Sequence, residues 1–410
     1  MKTAVLHDTI HPSTSTPSAF DAREATKTAT TKNSELTYAR GRLLIGITCV
    51  GWIVVATCLA LITRLPSLTL SGQGTAIPST FVELFLFFGI VSFFLFPFEF
   101  AGGHLLPRAY RRVPSGMKQF LIRLSRASFL HVLLYALLGT AIIATARSVG
   151  PFVAFLLFPV FGFLQLALQG TLFSLFTPVQ NRSPLSSRHD FVPVEFVSDP
   201  GESFTGGIIG LPGNEKIIIP ERWIASFSDQ ELTIMIARRR IAILSGARIK
   251  GIMVSMVWMI SGIALSLLPH ESSLMSASGL TTMSLWFTLW SFIGLLLLPS
   301  LSRAGVHFVD EKTTDGGTNG ETLQTALTKA DELGDTEYER SRMVESVFHP
   351  IPSPMRRIQA LSGDLTSRRL PTWNVNRLTL FLSWSGLSLL SRSVHCNCGR
   401  PHLWILLPVD

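Results

Sequence analysis

Residues 81–100 read FVELFLFFGIVSFFLFPFEF, an almost continuous apolar stretch with Glu83 and Glu99 near its ends. The rest of the 410-residue chain has the same character, with 28 Phe, 47% hydrophobic residues and only 15% charged residues. The mean hydropathy is +0.39. A soluble domain carries about 25% charged residues. The composition therefore excludes an ordinary soluble enzyme, a disordered chain and a fibrous repeat.

Further apolar stretches lie on either side of this one. About 20 apolar residues are needed to cross a bilayer as a helix, and six candidates are found at 43–63, 82–100, 127–146, 152–176, 251–269 and 280–301. In the fourth, Pro159 predicts a kink, because proline removes a helical hydrogen bond. Gln165 and Gln169 share a helix face. They predict hydrogen bonds to a neighbouring helix, with a polar path through the bundle as the alternative.

The positions of lysine and arginine orient these spans. Six occur in the tail up to Arg42 and six between residues 101 and 126, whereas the loop 270–282 has none. Cytoplasmic loops of multi-pass proteins are enriched in these residues, so both termini are predicted to be cytoplasmic, in a cell inner membrane. The net charge of +8 is then expected beside the anionic lipid bilayer, and no nucleic-acid partner is expected.

Two polar regions on the cytoplasmic side could form one domain that is split by the last two spans. In the first, the alternating stretch 191–197 predicts a strand. Residues 205–211 and 216–219 predict two more strands, which a turn at 212–214 joins into a hairpin. Asp199, Pro200 and Gly201 predict another turn.

Helix signals follow in both regions. Ser228 and Glu231 form a capping-box pattern for a helix that runs to about Leu244 and stops at Gly246. The second region contains a Gly-rich turn and then a helix at 321–333. The chain is thus divided into a disordered polar tail (1–41), a four-helix membrane region (42–178), a hairpin with a capped helix (179–250), two further spans (251–301), a helical region (302–376) and an apolar C-terminal tail (377–410).

Three stretches of the polar regions carry a family resemblance. They are GGIIGLPGNEKIIIP at 206–220, SFSDQELTIMIARRRIAI at 226–243 and VESVFHPIPSPMRRIQAL at 344–361. Their order resembles the membrane zinc metallopeptidases of the HtpX and CAAX prenyl-protease type. The resemblance implies an α-helical polytopic membrane protein, of about six transmembrane helices, with a small cytoplasmic α+β metallopeptidase-like domain. It also implies an edge strand that can bind a peptide through backbone hydrogen bonds, formed by Lys216, Ile217, Ile218 and Ile219.

The catalytic motif of that family is altered in this chain. In H-E-x-x-H, two histidines one helical turn apart bind zinc, and the glutamate activates the zinc-bound water. The resemblance places these residues at Arg238, Arg239 and Ala242. Arginine stays protonated and has no lone pair for a metal, and alanine has no ligand atom. The resemblance therefore implies a catalytically inactive pseudopeptidase without a cofactor, which binds peptide or protein partners or acts as a membrane scaffold.

Two registers are open for the third ligand, which in the family is a Glu four residues before an Asp. The first places these residues at Val306 and Asp310, and the second at Glu311 and Asp315. The arginines at 238–240 also have two interpretations. They form a basic, solvated helix end at the membrane surface, or one of them enters the former cleft and pairs with Asp310 or binds a carboxylate or phosphate.

The C-terminal tail contains the densest group of metal-binding residue types, namely His395, Cys396, Cys398 and His402. They could complete a tetrahedral zinc or copper site. The alternatives are a packed turn with reduced thiols and acylation of the cysteines. The apolar stretch 378–391 is too short for a span and predicts a buried or interfacial helix.

Two further functional hypotheses remain open at this point. The first is an active membrane zinc metalloendopeptidase with relocated ligands, for which His189, His307 and His349 are the other histidines of the polar regions. No two of these histidines have the i, i+4 spacing that a helical zinc site uses. The second is a small transporter, which only the spans support.

Overall fold

A computed structural model describes residues 36–72, 74–112, 116–177, 182–184, 192–198, 201, 203–270, 272–317, 319–334, 337 and 339–406. The predicted disordered tail as far as residue 35, His189, and Asp199 and Pro200 of a predicted turn lie outside these residues.

Among the described residues, five helices are long and apolar enough to cross a membrane, and a pair of helices bent by 70° makes a sixth crossing if it counts as one span. This confirms the predicted helical, polytopic architecture. The membrane helices are Tyr38–Ile62 (α1), Ile77–Phe100 (α3), Met117–Ser148 (α5), the bent pair Pro151–Ala167 (α6) and Gln169–Phe176 (α7), Ala247–Ser266 (α10) and Ala277–Leu297 (α11). The short helix Leu65–Thr69 (α2) lies between the first two. A π-helical turn at Ala101–Leu105 continues α3 into the short helix Leu106–Ala109 (α4).

The bend in the fourth span lies at Leu168 and not at Pro159, where the sequence predicted it. Pro159 lies inside the continuous helix α6. On either side of the bend, Gln165 donates a hydrogen bond to the carbonyl of Phe381 at 2.6 Å and Gln169 to that of Ile405 at 3.1 Å. The glutamines therefore bind the C-terminal part of the chain, and these bonds stabilise the bend between them.

A four-stranded sheet lies outside the membrane helices. Its strands are Arg182–Pro184 (β1), Val194–Val197 (β2), Gly207–Ile209 (β3) and Lys216–Pro220 (β4), in the order β1-β2-β4-β3. The β3–β4 hairpin is antiparallel, as its turn predicts, but β4 also pairs in parallel with β2. The prediction that Lys216, Ile217, Ile218 and Ile219 form an edge strand is therefore wrong, because both sides of β4 already make backbone hydrogen bonds.

The remaining helices complete an extramembrane domain around this sheet. The capping box of Ser228 and Glu231 is present at the start of the helix Asp229–Leu244 (α9), and Gly246 follows its end with a φ of +70°. Side chains from both polar regions share one hydrophobic cluster, in which Leu323 and Leu327 pack with Trp223 and Met235. The helices of this domain are Arg222–Ser226 (α8), Asp229–Leu244 (α9), Pro299–Asp315 (α12), Gly320–Glu332 (α13), Arg342–Phe348 (α14) and Pro354–Leu361 (α15).

The C-terminal segment 375–406, here called the plug, fills the interior of the membrane bundle. It contains the short helices Val375–Leu382 (α16) and His402–Ile405 (α17), with turns between them. Trp384 and Trp404 are fully buried and belong to the same core cluster as side chains from the spans. Arg392 forms a buried ion pair with Glu99 of α3, with Nη2 2.8 Å from Oε2. The predicted buried helix is thus present, but it accounts for only the first part of the segment.

Candidate functional site

Helix α9 carries the residues that the family resemblance assigns to the zinc site. Arg238 and Arg239 are each 1% exposed, and Ala242 is fully buried. A solvated helix end would leave the guanidinium groups in water. The structure therefore rules out that interpretation for Arg238 and Arg239, and their binding partners decide what they do.

Arg238 and Arg357 share the carboxylate of Asp310. Arg238 Nε donates to Asp310 Oδ1 at 2.9 Å, and its Nη2 lies 2.6 Å from the same oxygen. Arg357, the second arginine of the PMRRI sequence, donates from Nε to Oδ2 at 2.7 Å and from Nη2 to Oδ1 at 2.8 Å. All three side chains are at least 96% buried. We call this group the Arg–Asp–Arg triad.

The triad controls the protonation of its carboxylate. Burial alone would raise the pKa of Asp310, but the charges of Arg238 and Arg357 outweigh burial and lower the pKa to about 2. Asp310 is thus ionised at physiological pH, and both of its oxygens accept hydrogen bonds from arginine.

Apolar packing occupies the other two assigned ligand positions. Val306, one turn before Asp310, is 3% exposed and shares a hydrophobic cluster with Ala242, Ile208 and Trp373. Glu311, which belongs to the rival register, forms an ion pair with Arg369 nearer the surface. Of the two registers, the one with Val306 and Asp310 faces the helix that carries Arg238.

Arg239, at the position of the catalytic glutamate, links α9 to the hairpin. It donates to the carbonyl of Thr205 at 2.7 Å and to that of Met235 at 3.0 Å. Its guanidinium lies 5.1 Å from the ring centre of Trp223, within the range of a cation–π interaction. The carbonyl of Gly210, beyond the other end of β3, accepts from Arg248 at 2.6 Å. Arginine side chains therefore bind the backbone at both ends of this short strand.

These residues do not fit a zinc ion. Zinc in proteins is held by three or four Cys, His, Asp or Glu atoms. The assigned positions here provide two guanidinium groups, two aliphatic side chains and one carboxylate that is already engaged by arginine. In the part of the chain that the structure describes, no group of three or more His, Cys, Asp or Glu side chains is arranged to hold a metal.

The four predicted ligands of the tail contact different neighbours. The rings of His395 and His349 lie 5.1 Å apart, and Cys396 Sγ accepts a hydrogen bond from Arg377 at 2.6 Å. Cys398 packs beside Gly102. His402 packs beside Gly201. The structure does not bring these four side chains together into one site.

A cavity that the sequence did not predict lies between the plug and the extramembrane domain. Its volume is about 110 Å³, enough for several water molecules or a small anion. We call it the arginine cavity. No spacing pattern predicts it, because its residues come from distant parts of the chain. The charged, His and Cys side chains that line it are Arg42, Asp331, Arg340, His349, Arg357, Arg377, His395, Cys396 and Arg400.

Comparison with known proteins establishes the class of fold. No family model and no curated protein sequence matches the chain. Among solved structures, the chain is similar to the crystal structure of Ste24p from S. mikatae, with a TM-score of 0.58 and 12% sequence identity. The match covers 70% of this chain and 76% of that one. The chain is thus a helical membrane protein with a small sheet, and its fold is like that of Ste24p.

Proposed function

We propose that this chain is a membrane metallopeptidase-like protein that does not hydrolyse peptides and acts as a scaffold or partner-binding protein in the bilayer. The Arg–Asp–Arg triad is the observation that carries the proposal. Ste24p, a CAAX prenyl protease and membrane zinc metallopeptidase, has a similar fold. The proposal separates the scaffold, which this chain shares, from the chemistry, for which its side chains are unsuited.

Zinc-dependent hydrolysis has two requirements that these side chains do not meet. A general base must accept a proton from the attacking water, and Arg239 remains protonated at any physiological pH. The metal needs several lone pairs directed at one point, and Arg238 has none to offer. Asp310 has lone pairs, but its charge already balances one of two buried guanidinium groups.

Partners would bind elsewhere than at strand β4, because that strand is paired on both sides. The outer face of α3 exposes large apolar side chains, including Leu86, Ile90, Phe93 and Phe94. Such a face contacts lipid, and it also suits packing against a span of another membrane protein. We also propose, from the distribution of lysine and arginine, that the protein lies in an inner membrane with both termini in the cytoplasm.

Measuring zinc in the purified full-length protein tests the absence of hydrolytic chemistry. We expect far less than one zinc per chain by elemental analysis in detergent, and no chelator-sensitive cleavage of fluorogenic peptides. The matched positive control restores the assigned ligands with Arg238→His, Arg239→Glu, Ala242→His and Val306→Glu. One zinc per wild-type chain, lost in Asp310→Ala, together with chelator-sensitive cleavage, would overturn the proposal.

A further inference from the structure

The arginine cavity contains a buried cation, Arg377, that has no acidic partner among the residues that the structure describes. Arg377 is 6% exposed, and its one hydrogen bond within the described part of the chain is from Nη1 to Cys396 Sγ. Its Nε is buried without any hydrogen-bond partner among those residues. A buried charge of this kind is unfavourable unless another group neutralises it.

A second buried arginine, Arg340, also lines the cavity, and the carboxylates of Glu345, Asp331 and Glu337 act on it only through longer-range charge effects. Arg340 is 7% exposed, and it donates to the carbonyls of Glu337 and Ile351, each at 3.3 Å. Within the described ranges it forms no ion pair with a carboxylate. Asp331 also lines the cavity, and burial raises its pKa to about 6 against the opposing effects of Arg340 and Arg357. Among the described lining residues, five arginines face this one carboxylate, so the cavity wall carries a net positive charge.

An apolar cavity of about 80 Å³ adjoins the arginine cavity. Side chains of α1 and α11 line it, among them Val50 and Leu295, and it shares Arg377, His395 and Cys396 with the arginine cavity. Ile47 and Leu296 also line it, and they are 40% and 45% exposed on the lipid-facing surface of the bundle. The apolar cavity thus extends from the bilayer side of the bundle to the guanidinium of Arg377.

We propose that the two cavities together bind one anionic lipid. Its phosphate lies against Arg377 and Arg340, and the adjoining part of its acyl chain lies between α1 and α11. Guanidinium groups bind phosphate oxygens through paired, charge-assisted hydrogen bonds. The apolar cavity distinguishes a lipid from free phosphate, because free phosphate has no apolar part to place there. Arg357 of the triad also lines the arginine cavity, but its guanidinium is engaged by Asp310, and the proposal holds whether or not the protein hydrolyses peptides.

Lipid retention by the full-length protein tests this proposal. The protein in detergent is incubated with vesicles of phosphatidylcholine, or of phosphatidylcholine mixed with phosphatidic acid, and bound lipid is counted by native mass spectrometry. We expect one phosphatidic acid per wild-type chain, and an affinity about tenfold lower in Arg377→Gln and Arg340→Gln, as for the loss of one charged hydrogen bond. The matched control is Arg368→Gln, which removes an exposed arginine that lines neither cavity.

One further variant and a stability measurement distinguish a bound lipid from bound free phosphate and from an arginine with a purely structural role. Val50→Phe fills the apolar cavity, and we expect it to reduce phosphatidic acid retention. Its elution profile in size-exclusion chromatography should stay unchanged, because the variant still folds. Arg377→Gln removes a buried charge, so it should fold and keep a melting temperature at least equal to that of the lipid-free wild type. Equal retention by wild type and Arg377→Gln would overturn the proposal. So would thermal stabilisation by inorganic phosphate that equals that of phosphatidic acid and is insensitive to Val50→Phe.

Discussion

At the scale of single residues, Asp310 has a structural role, because its carboxylate is shared by two buried arginines. The sequence predicted that Arg238, Arg239 and Ala242 all lack the chemistry of a zinc site, and one of its interpretations paired an arginine with Asp310. It did not predict Arg357 as the second partner, because that residue lies 47 positions away and no spacing rule connects the two. The ion pair could therefore be predicted from side-chain chemistry, whereas the complete triad required the tertiary structure.

Removing the carboxylate of the triad should be strongly destabilising. In Asp310→Asn, Arg238 and Arg357 remain buried without a counter-charge. We expect a loss of about 3–5 kcal/mol in the free energy of unfolding, the range found when one partner of a buried ion pair is removed. Thermal or denaturant unfolding in detergent measures this change. Glu311→Gln is the matched control, because it breaks a more exposed pair with Arg369 and should cost less than about 1 kcal/mol.

The same carboxylate predicts a dependence of stability on pH. The pKa of Asp310 is about 2 in the folded protein, compared with an ordinary value of 3.8. A lowered pKa means that the stabilisation is fully present above pH 3.8 and is lost as the pH falls through about 2. We expect the melting temperature of the wild type to fall over this interval more steeply than that of Asp310→Asn. Parallel curves for the two proteins would contradict this role of Asp310.

At the scale of helices and strands, the local sequence predicts where an element forms but not which other element it pairs with. The capping box of Ser228 and Glu231 and the hairpin turn depend on residues close in sequence, and both appear where the sequence places them. The second partner of β4 is β2, which joins it in parallel through a long connection. The bend at Leu168 likewise depends on hydrogen bonds to residues more than 200 positions away. Neither long-range choice has a signature in the local sequence.

Two glycines allow the chain to enter the bundle and become the plug. A Cβ atom at Gly251 would overlap the carbonyl oxygen of Trp373, and one at Gly305 would overlap that of Thr372. We expect Gly251→Ala and Gly305→Ala each to lower the free energy of unfolding by about 1–3 kcal/mol, the usual cost of overpacking. Gly51→Ala in α1 is the control, since nothing lies within 4 Å of its Cβ position. Melting temperatures equal to that of this control would show that the backbone at Thr372 and Trp373 can move aside.

At the scale of the whole molecule, the interior of the bundle is an assembly of spans and plug. Tyr135 of α5 donates a hydrogen bond to the carbonyl of Ser388, and Ser284 of α11 donates to that of Leu387, each at 2.6 Å. The sequence predicted that the tail would be buried or interfacial. Its turns and its partners in the spans could not be predicted, because they depend on how the spans are arranged.

The ion pair between Glu99 and Arg392 links α3 to the plug and allows a double-mutant cycle. Arg392→Met leaves Glu99 buried without its partner, and Glu99→Gln leaves Arg392 in the same condition, so each should destabilise by about 3–5 kcal/mol. The double variant should lose much less than the sum of the two, because no charge is left unpaired. Additive losses would indicate that the two residues act independently.

The position of the plug in the chain has a consequence for biosynthesis. A ribosome releases residues 375–406 only after all six apolar stretches have emerged, and chains fold from the N-terminus as they are made. Each newly inserted bundle therefore passes through a stage in which Tyr135 and Ser284 have no partner in the plug. The plug therefore enters a bundle whose spans have already been synthesised. A nascent chain that stalls before residue 375 would therefore leave the hydroxyl groups of Tyr135 and Ser284 facing an unfilled interior.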